Sequence, residues 1–84
     1  MQHTLMASFG HTLKMRRVDC GISQRDLAKK LGWDHSSVSL YESGSRNLSI
    51  VRFVDYCSAV GSAPSEVIAS ALERHRVVNA IPNV

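Results

Sequence analysis

The stretch SQRDLAKKLGWDHSSVSLYE, residues 23–42, decides the fold. It predicts two short helices joined by a tight turn. Leu27, Leu31, Trp33, Val38 and Tyr41 are apolar where two crossed helices must bury a shared seam, and Ala28 is small where the second helix comes close. Ser23 suits an N-cap, with Asp26 three positions on in place of the usual capping-box glutamate. Ile22 before that cap and Leu27 after it have the spacing of a hydrophobic staple. Gly32 falls where the chain must leave the first of the two helices, a position of positive φ that costs glycine little.

The same staple-plus-cap pattern recurs at Trp33, Asp34 and Val38 and again at Leu48, Ser49 and Phe53, so helices are predicted to start near residues 23, 34 and 49. A first helix is expected from between Thr4 and Phe9 to about Asp19, with Leu5, Phe9 and Leu13 spaced by four and Cys20-Gly21 ending it. The second helix then spans Gln24 to Leu31 and the third about His35 to Glu42, and Ser43 to Asn47 reads as a loop. The fourth helix runs from about Ile50 to Val60, with Ile50, Phe53, Val54 and Cys57 on one face and Gly61 ending it. Pro64 fits the first turn of a fifth helix carrying Val67, Ile68, Ala71 and Leu72 on one side. Its cap is Ser62 or Ala63; with Ala63 the missing side-chain acceptor costs about 1 kcal/mol. No segment alternates with period two, so the expected class is all-α. Residues 77–84 form an apolar tail interrupted by Pro82. The expected division is an N-terminal extension at 1–8, a domain at 9–73 and a C-terminal tail at 74–84.

Eighty-four residues suffice for one small domain, and 44% hydrophobic content supports a packed core over disorder. No apolar run approaches the roughly 20 residues of a membrane span. The N-terminus lacks the basic and apolar regions of a signal peptide, so the expected location is cytoplasmic. The formal net charge of +3 is unevenly spread. Residues 1–32 hold Lys14, Arg16, Arg17, Arg25, Lys29 and Lys30 against Asp19 and Asp26, whereas 53–84 are net acidic. Such an imbalance favours a polyanionic partner at the first two helices. Cys20 and Cys57 lack metal-ligand spacing and read as half-buried thiols, and no two of the four histidines are spaced as ligands on one helix. No metal or cofactor is therefore expected. An enzyme is not expected either. There is no glycine-rich phosphate loop, and the Asp, His and Ser residues at 34–37 sit side by side on one helix start, whereas a triad converges from separate elements.

Residues 9–72 resemble the lambda-repressor-like helix-turn-helix proteins, the Cro and phage-repressor type also called the XRE family. The resemblance rests on Leu13 to Arg17 followed by GISQ at 21–24, on DLAKKLG at 26–32, on SVSLYESGSRN at 37–47 and on VGSAPSE at 60–66. Two positions depart from the family pattern: Leu48 stands where proline is usual, and Trp33 where a smaller apolar residue is usual. Both keep an apolar group at a staple position. The arm before Phe9 holds no Lys or Arg, so a basic arm wrapping DNA is not expected.

The resemblance implies a five-helix DNA-binding domain whose third helix lies in the major groove of double-stranded DNA. His35, Ser36 and Ser39 then become the base-reading candidates, with Leu40 against a thymine methyl. Ser23 and Gln24 at the start of the second helix, and Ser45, Arg46 and Asn47 in the loop, become phosphate candidates. Gln24 is also expected to brace His35. Lys29 and Lys30 are either further phosphate contacts or a solvated face. The family pairs the positions of Arg17 and Glu42 as an ion pair joining the first helix to the end of the third. Family members commonly bind inverted repeats as twofold homodimers, and Val77, Val78 and Ile81 are the apolar candidates for the dimer surface, unless the tail is frayed. The expected function is a sequence-specific transcriptional regulator, a repressor or autoregulator. The alternative is an antitoxin or adaptor whose main partner is a second protein.

Overall fold

The computed structural model describes residues 4–80, and among them the chain forms five helices and no strand. In order these are α1 (Leu5–Asp19), α2 (Gln24–Leu31), α3 (Ser37–Glu42), α4 (Ile50–Ala59) and α5 (Pro64–Ala80). None is long and apolar enough to cross a membrane. No break in the helices falls at 8/9 or at 73/74: α1 begins before the first boundary and α5 runs past the second.

Local chemistry explains most of the ends. Thr4, Ser23 and Ser49 take extended backbone angles, and their hydroxyls accept the N–H groups of Ala7, Asp26 and Arg52 at 3.0, 3.0 and 3.1 Å. Each satisfies one of the donors that a helix start leaves unpaired. Gly32 closes α2 at φ +70°, with the Trp33 N–H reaching the Ala28 carbonyl at 2.9 Å and the Gly32 N–H that of Lys29 at 3.2 Å. These two bonds make a Schellman closure, which turns the chain sharply into α3. For α5, the Ala63 carbonyl accepts from Glu66 and Val67, so the residue in the cap position brings no side-chain acceptor.

Four expectations need correction. Helix α3 starts at Ser37, not His35. The Asp34 carbonyl takes the Ser37 N–H at 2.9 Å, and the first i→i+4 bond runs from Leu40 to Ser36. His35 and Ser36 thus occupy a turn leading into the helix, and Ser36 makes no side-chain cap bond. The buried face of α4 is Phe53, Tyr56, Cys57 and, just beyond its end, Val60. Ile50 and Val54 are instead 77% and 42% exposed. The cause is the Tyr56 phenol, which is drawn inward by polar partners and so rotates the stripe. Cys57 lies wholly inside the core, whereas Cys20 is exposed at the end of α1. On α5, Val67 and Ala71 are buried while Ile68 and Leu72 face outward.

The core is built from Leu13 of α1, Leu27 and Ala28 of α2, Val38 of α3, the buried face of α4 and Val67 of α5. Phe9 meets Phe53 edge to face at 5.8 Å, an arrangement favoured by the ring quadrupoles. Helix α5 extends along α1 beyond the expected tail boundary. There His75 Nδ1 lies 3.3 Å from the Ser8 hydroxyl, and Asn79 Nδ2 lies 3.1 Å from the same ring nitrogen. Ile81 lies outside the described residues.

Helix α1 crosses the end of α3 at Gly10. A Cβ there would sit 2.8 Å from the Glu42 carbonyl carbon and closer still to the Tyr41 and Glu42 carbonyl oxygens. Backbone cannot yield as a flexible side chain can. Gly10→Ala is therefore expected to destabilise by about 1–3 kcal/mol through overpacking, despite alanine's better helix propensity. Urea denaturation monitored by circular dichroism measures this, and a stabilised variant would contradict the close crossing.

Candidate nucleic-acid interface

The α2–turn–α3 unit presents one end of α3 to solvent. His35 and Ser36 on the lead-in turn and Ser39 on the first turn of α3 are exposed, while Ser37, Val38 and Tyr41 face inward. Leu40 is half-buried rather than fully outward. Its carbonyl accepts the Ser45 N–H at 3.0 Å, the Arg46 N–H at 3.3 Å and the Ser43 hydroxyl at 3.1 Å, which folds the following loop back onto the helix. Arg46 lies over the Tyr41 ring, with Nη1 3.4 Å from the buried Ser37 hydroxyl. Ser45 and Asn47 are exposed beside it.

Among the other phosphate candidates, Ser23 spends its hydroxyl on the α2 cap, and Gln24 does not brace His35. Its amide donates to Glu42 Oε1 at 2.9 Å instead, because a buried carboxylate is a stronger acceptor than an imidazole in solvent. Lys29 is exposed. Lys30 donates to the Ala59 carbonyl at 3.1 Å and so serves the end of α4, where a cation complements the helix dipole.

The unit is anchored from behind by Glu42. Arg17 grips it in a two-pronged pair, Nε to Oε2 at 2.7 Å and Nη2 to Oε1 at 3.1 Å, with both side chains at least nine-tenths buried. A third arginine nitrogen donates to the Ile22 carbonyl at 2.8 Å, tying in the α1–α2 connection. The Tyr56 hydroxyl sits between Glu42 and the Leu13 carbonyl. Its single proton goes to the carboxylate, the charged and better acceptor. Burial alone pushes the Glu42 carboxyl upward, but hydrogen bonds from Arg17, Tyr56 and Gln24 outweigh it and hold the group below its ordinary range. The bond to Glu42 raises Arg17, while burial and then the same carboxylate push the Tyr56 phenol far above its usual value.

Two contributors went unread in the sequence. Tyr56 lies off the apolar face expected for α4, and nothing in its local sequence announces a partner 14 residues away. Arg52, also on α4, donates to the Tyr41 hydroxyl at 2.8 Å and lies 4.7 Å over the Trp33 ring. An arginine amid the apolar positions of α4 was the available signal.

An exposed α3 start set against a capped α2, with a buried ion pair behind it, defines a helix-turn-helix DNA-binding domain of the lambda-repressor-like fold. A family model described as a helix-turn-helix domain matches residues 8–72, and the chain belongs to that family, whose XRE-type members are DNA-binding transcription regulators. Among solved structures, the chain is similar to the restriction-modification controller protein C.AhdI from Aeromonas hydrophila. Identity is 35%, with 74% of this chain and 90% of that one covered at a TM-score of 0.70. It is also similar to the clp gene regulator ClgR from Corynebacterium glutamicum, at 25% identity, 86% and 94% coverage and a TM-score of 0.80. A hypothetical transcription factor, NHTF from Neisseria, matches at 27% identity, 88% and 85% coverage and a TM-score of 0.75. No curated protein sequence matches.

Glu42→Ala leaves the Arg17 cation buried without its partner, and the expected loss is about 3–5 kcal/mol. A melting temperature equal to the parent's would contradict this. The acid response has a defined sign. The unfolded chain protonates Glu42 near the ordinary value of about 4.3, whereas the folded chain resists. The contribution is therefore complete at neutral pH, declines as pH falls through about 4.3 and vanishes below the lowered folded value. Glu42→Gln removes this part of the acid sensitivity, which thermal melts between about pH 6 and 3 measure.

Proposed function

We propose that this protein is a sequence-specific transcriptional regulator that binds an inverted-repeat operator as a homodimer. The observation that carries the reading is the exposure of His35, Ser36 and Ser39 at the one end of α3 left free by the buried Glu42 anchor. A helix end entering the major groove meets base edges first. The His35 imidazole can donate to guanine O6 or accept from a base amino group, according to tautomer, and the serine hydroxyls do either. Leu40, half-buried, supplies the apolar contact for a thymine methyl. The α2 start at Ser23 and Gln24 offers backbone N–H groups to one phosphate, and Ser45, Arg46 and Asn47 flank a second; Lys29 adds charge nearby. The printed names of C.AhdI, a restriction-modification controller, and ClgR, a clp gene regulator, agree with a regulatory role.

One domain reads too few bases for a unique site, and two copies place their reading ends about one helical turn, ~34 Å, apart. Val77, exposed, and Val78, half-buried, on α5 are the dimer candidates. A second reading, an antitoxin or adaptor acting on another protein, is favoured by Ile50 and Val51, exposed at 77% and 66% on α4.

Selection from a randomised DNA pool separates the two: an enriched palindrome supports the regulator, and no enrichment supports the adaptor. On the selected site, His35→Ala is expected to weaken binding by about 1–3 kcal/mol and relax the preference at one base pair per half-site. With about 6–10 phosphate contacts, affinity falls roughly 10³–10⁵-fold between about 50 and 200 mM salt, and a flat response would contradict direct DNA binding. Sedimentation of Val77→Asp tests the dimer: an unchanged dimer removes α5 from the interface, and loss of the dimer in Ile50→Asp moves it to α4.

A further inference from the structure

Arg52 stands in the first turn of α4, where the Ser49 hydroxyl accepts its backbone N–H. Its side chain reaches two aromatic rings at once. Nη1 donates to the Tyr41 hydroxyl at 2.8 Å. The guanidinium carbon lies 4.7 Å from the Trp33 ring centre and 5.8 Å from that of Tyr41. The two rings meet edge to face, 5.6 Å apart at 74°. Among the described residues Arg52 forms no ion pair, so its half-buried charge is held by π faces and one phenol.

The placement of the rings gives this contact its meaning. Trp33 precedes the lead-in turn and Tyr41 lies on the C-terminal half of α3, so together they bracket His35, Ser36 and Ser39 in the chain. Glu42 fixes only the far end of α3. The His35–Ser36 turn has no side-chain cap of its own and is closed by the bond from the Ser37 N–H to the Asp34 carbonyl. Ser37 and Val38 bury the first turn of α3, and Trp33 braces the lead-in turn before it by resting on Tyr41, on Tyr56 and beneath Arg52.

The geometry points to Arg52 as a positioning residue for base reading: one guanidinium clamps Trp33 to Tyr41 and sets where the α3 start meets the groove. The inference rests on the reading that this end of α3 contacts bases. A planar fork is required, because it stacks on one ring while donating to the phenol of the other; an ammonium cannot do both. The competing role for an arginine without a counter-ion is a direct phosphate contact, which lysine would preserve.

The test uses the full chain with Arg52→Met, Arg52→Lys and Tyr41→Phe. Three quantities are measured: the ratio of affinities for the selected site and for random duplex, the salt slope, and acrylamide quenching of Trp33, the chain's single tryptophan. Both Arg52 variants are expected to lower the ratio by about tenfold or more, hold random-duplex affinity within about threefold and leave the salt slope unchanged. They should also increase quenching of Trp33 while far-ultraviolet circular dichroism stays as in the parent. Tyr41→Phe, which removes only the hydroxyl, should lie between. Unchanged selectivity in Arg52→Met overturns the proposal while leaving base reading by α3 intact. Full rescue by Arg52→Lys, with the slope of Arg52→Met reduced by about one, overturns it in favour of a phosphate contact. A parent chain without any site preference sinks base reading, and the positioning role with it. If Arg52→Met does not fold, parent-like selectivity in both Arg52→Lys and Tyr41→Phe overturns the proposal, and lowered selectivity in both supports it.

Discussion

A single carboxylate, that of Glu42, is the point at which four of the five helices meet. Arg17 approaches from α1, Gln24 from α2 and Tyr56 from α4, while Glu42 itself ends α3. Burying a charge is costly, and replacing such a pair with well-packed apolar groups is often neutral or stabilising. The value of the arrangement is therefore geometric. Each hydrogen bond has a direction, and four such bonds from three partners around one carboxylate leave α3 a single orientation. An apolar seam alone would hold the same helices together with more freedom to slide.

That constraint is what a six-residue helix needs if it is to present side chains at fixed places. α3 is too short to be stable by itself, since isolated helices need about 12–15 residues even for favourable sequences. It exists because Val38 and Tyr41 are buried and Glu42 is locked. The cost falls on the faces turned inward, leaving His35, Ser36 and Ser39 free of structural duty. The same division appears in the loop beyond it, where Arg46 rests on Tyr41 and Ser37 while Ser45 and Asn47 stay exposed.

Much of this was legible in the chain. Ser23, Ser49 and Gly32 act locally, through bonds to residues at most four positions away, so the ends they set could be read directly. What resisted reading was non-local. Tyr56 is buried because its phenol finds Glu42 and Leu13, and that rotation exposes Ile50 and Val54, which a pure apolar pattern would bury. Gln24 turned from His35 to Glu42 for the same reason: the strongest acceptor nearby was invisible from its own helix. The late start of α3 reflects a turn too tight for an immediate i→i+4 bond. The base and phosphate candidates follow from resemblance, and the packing of α2, α3 and the loop decides which of them are exposed. No periodicity in the sequence identifies the base pairs they prefer.

Everything proposed for function requires the start of α3 to enter the major groove. Methylation interference on the selected operator tests it most directly, because one reagent marks guanine N7 in the major groove and adenine N3 in the minor groove. Guanine N7 methyl groups are expected to interfere in two patches about one helical turn, ~34 Å, apart. Interference confined to adenine N3, or none at any purine, would contradict it.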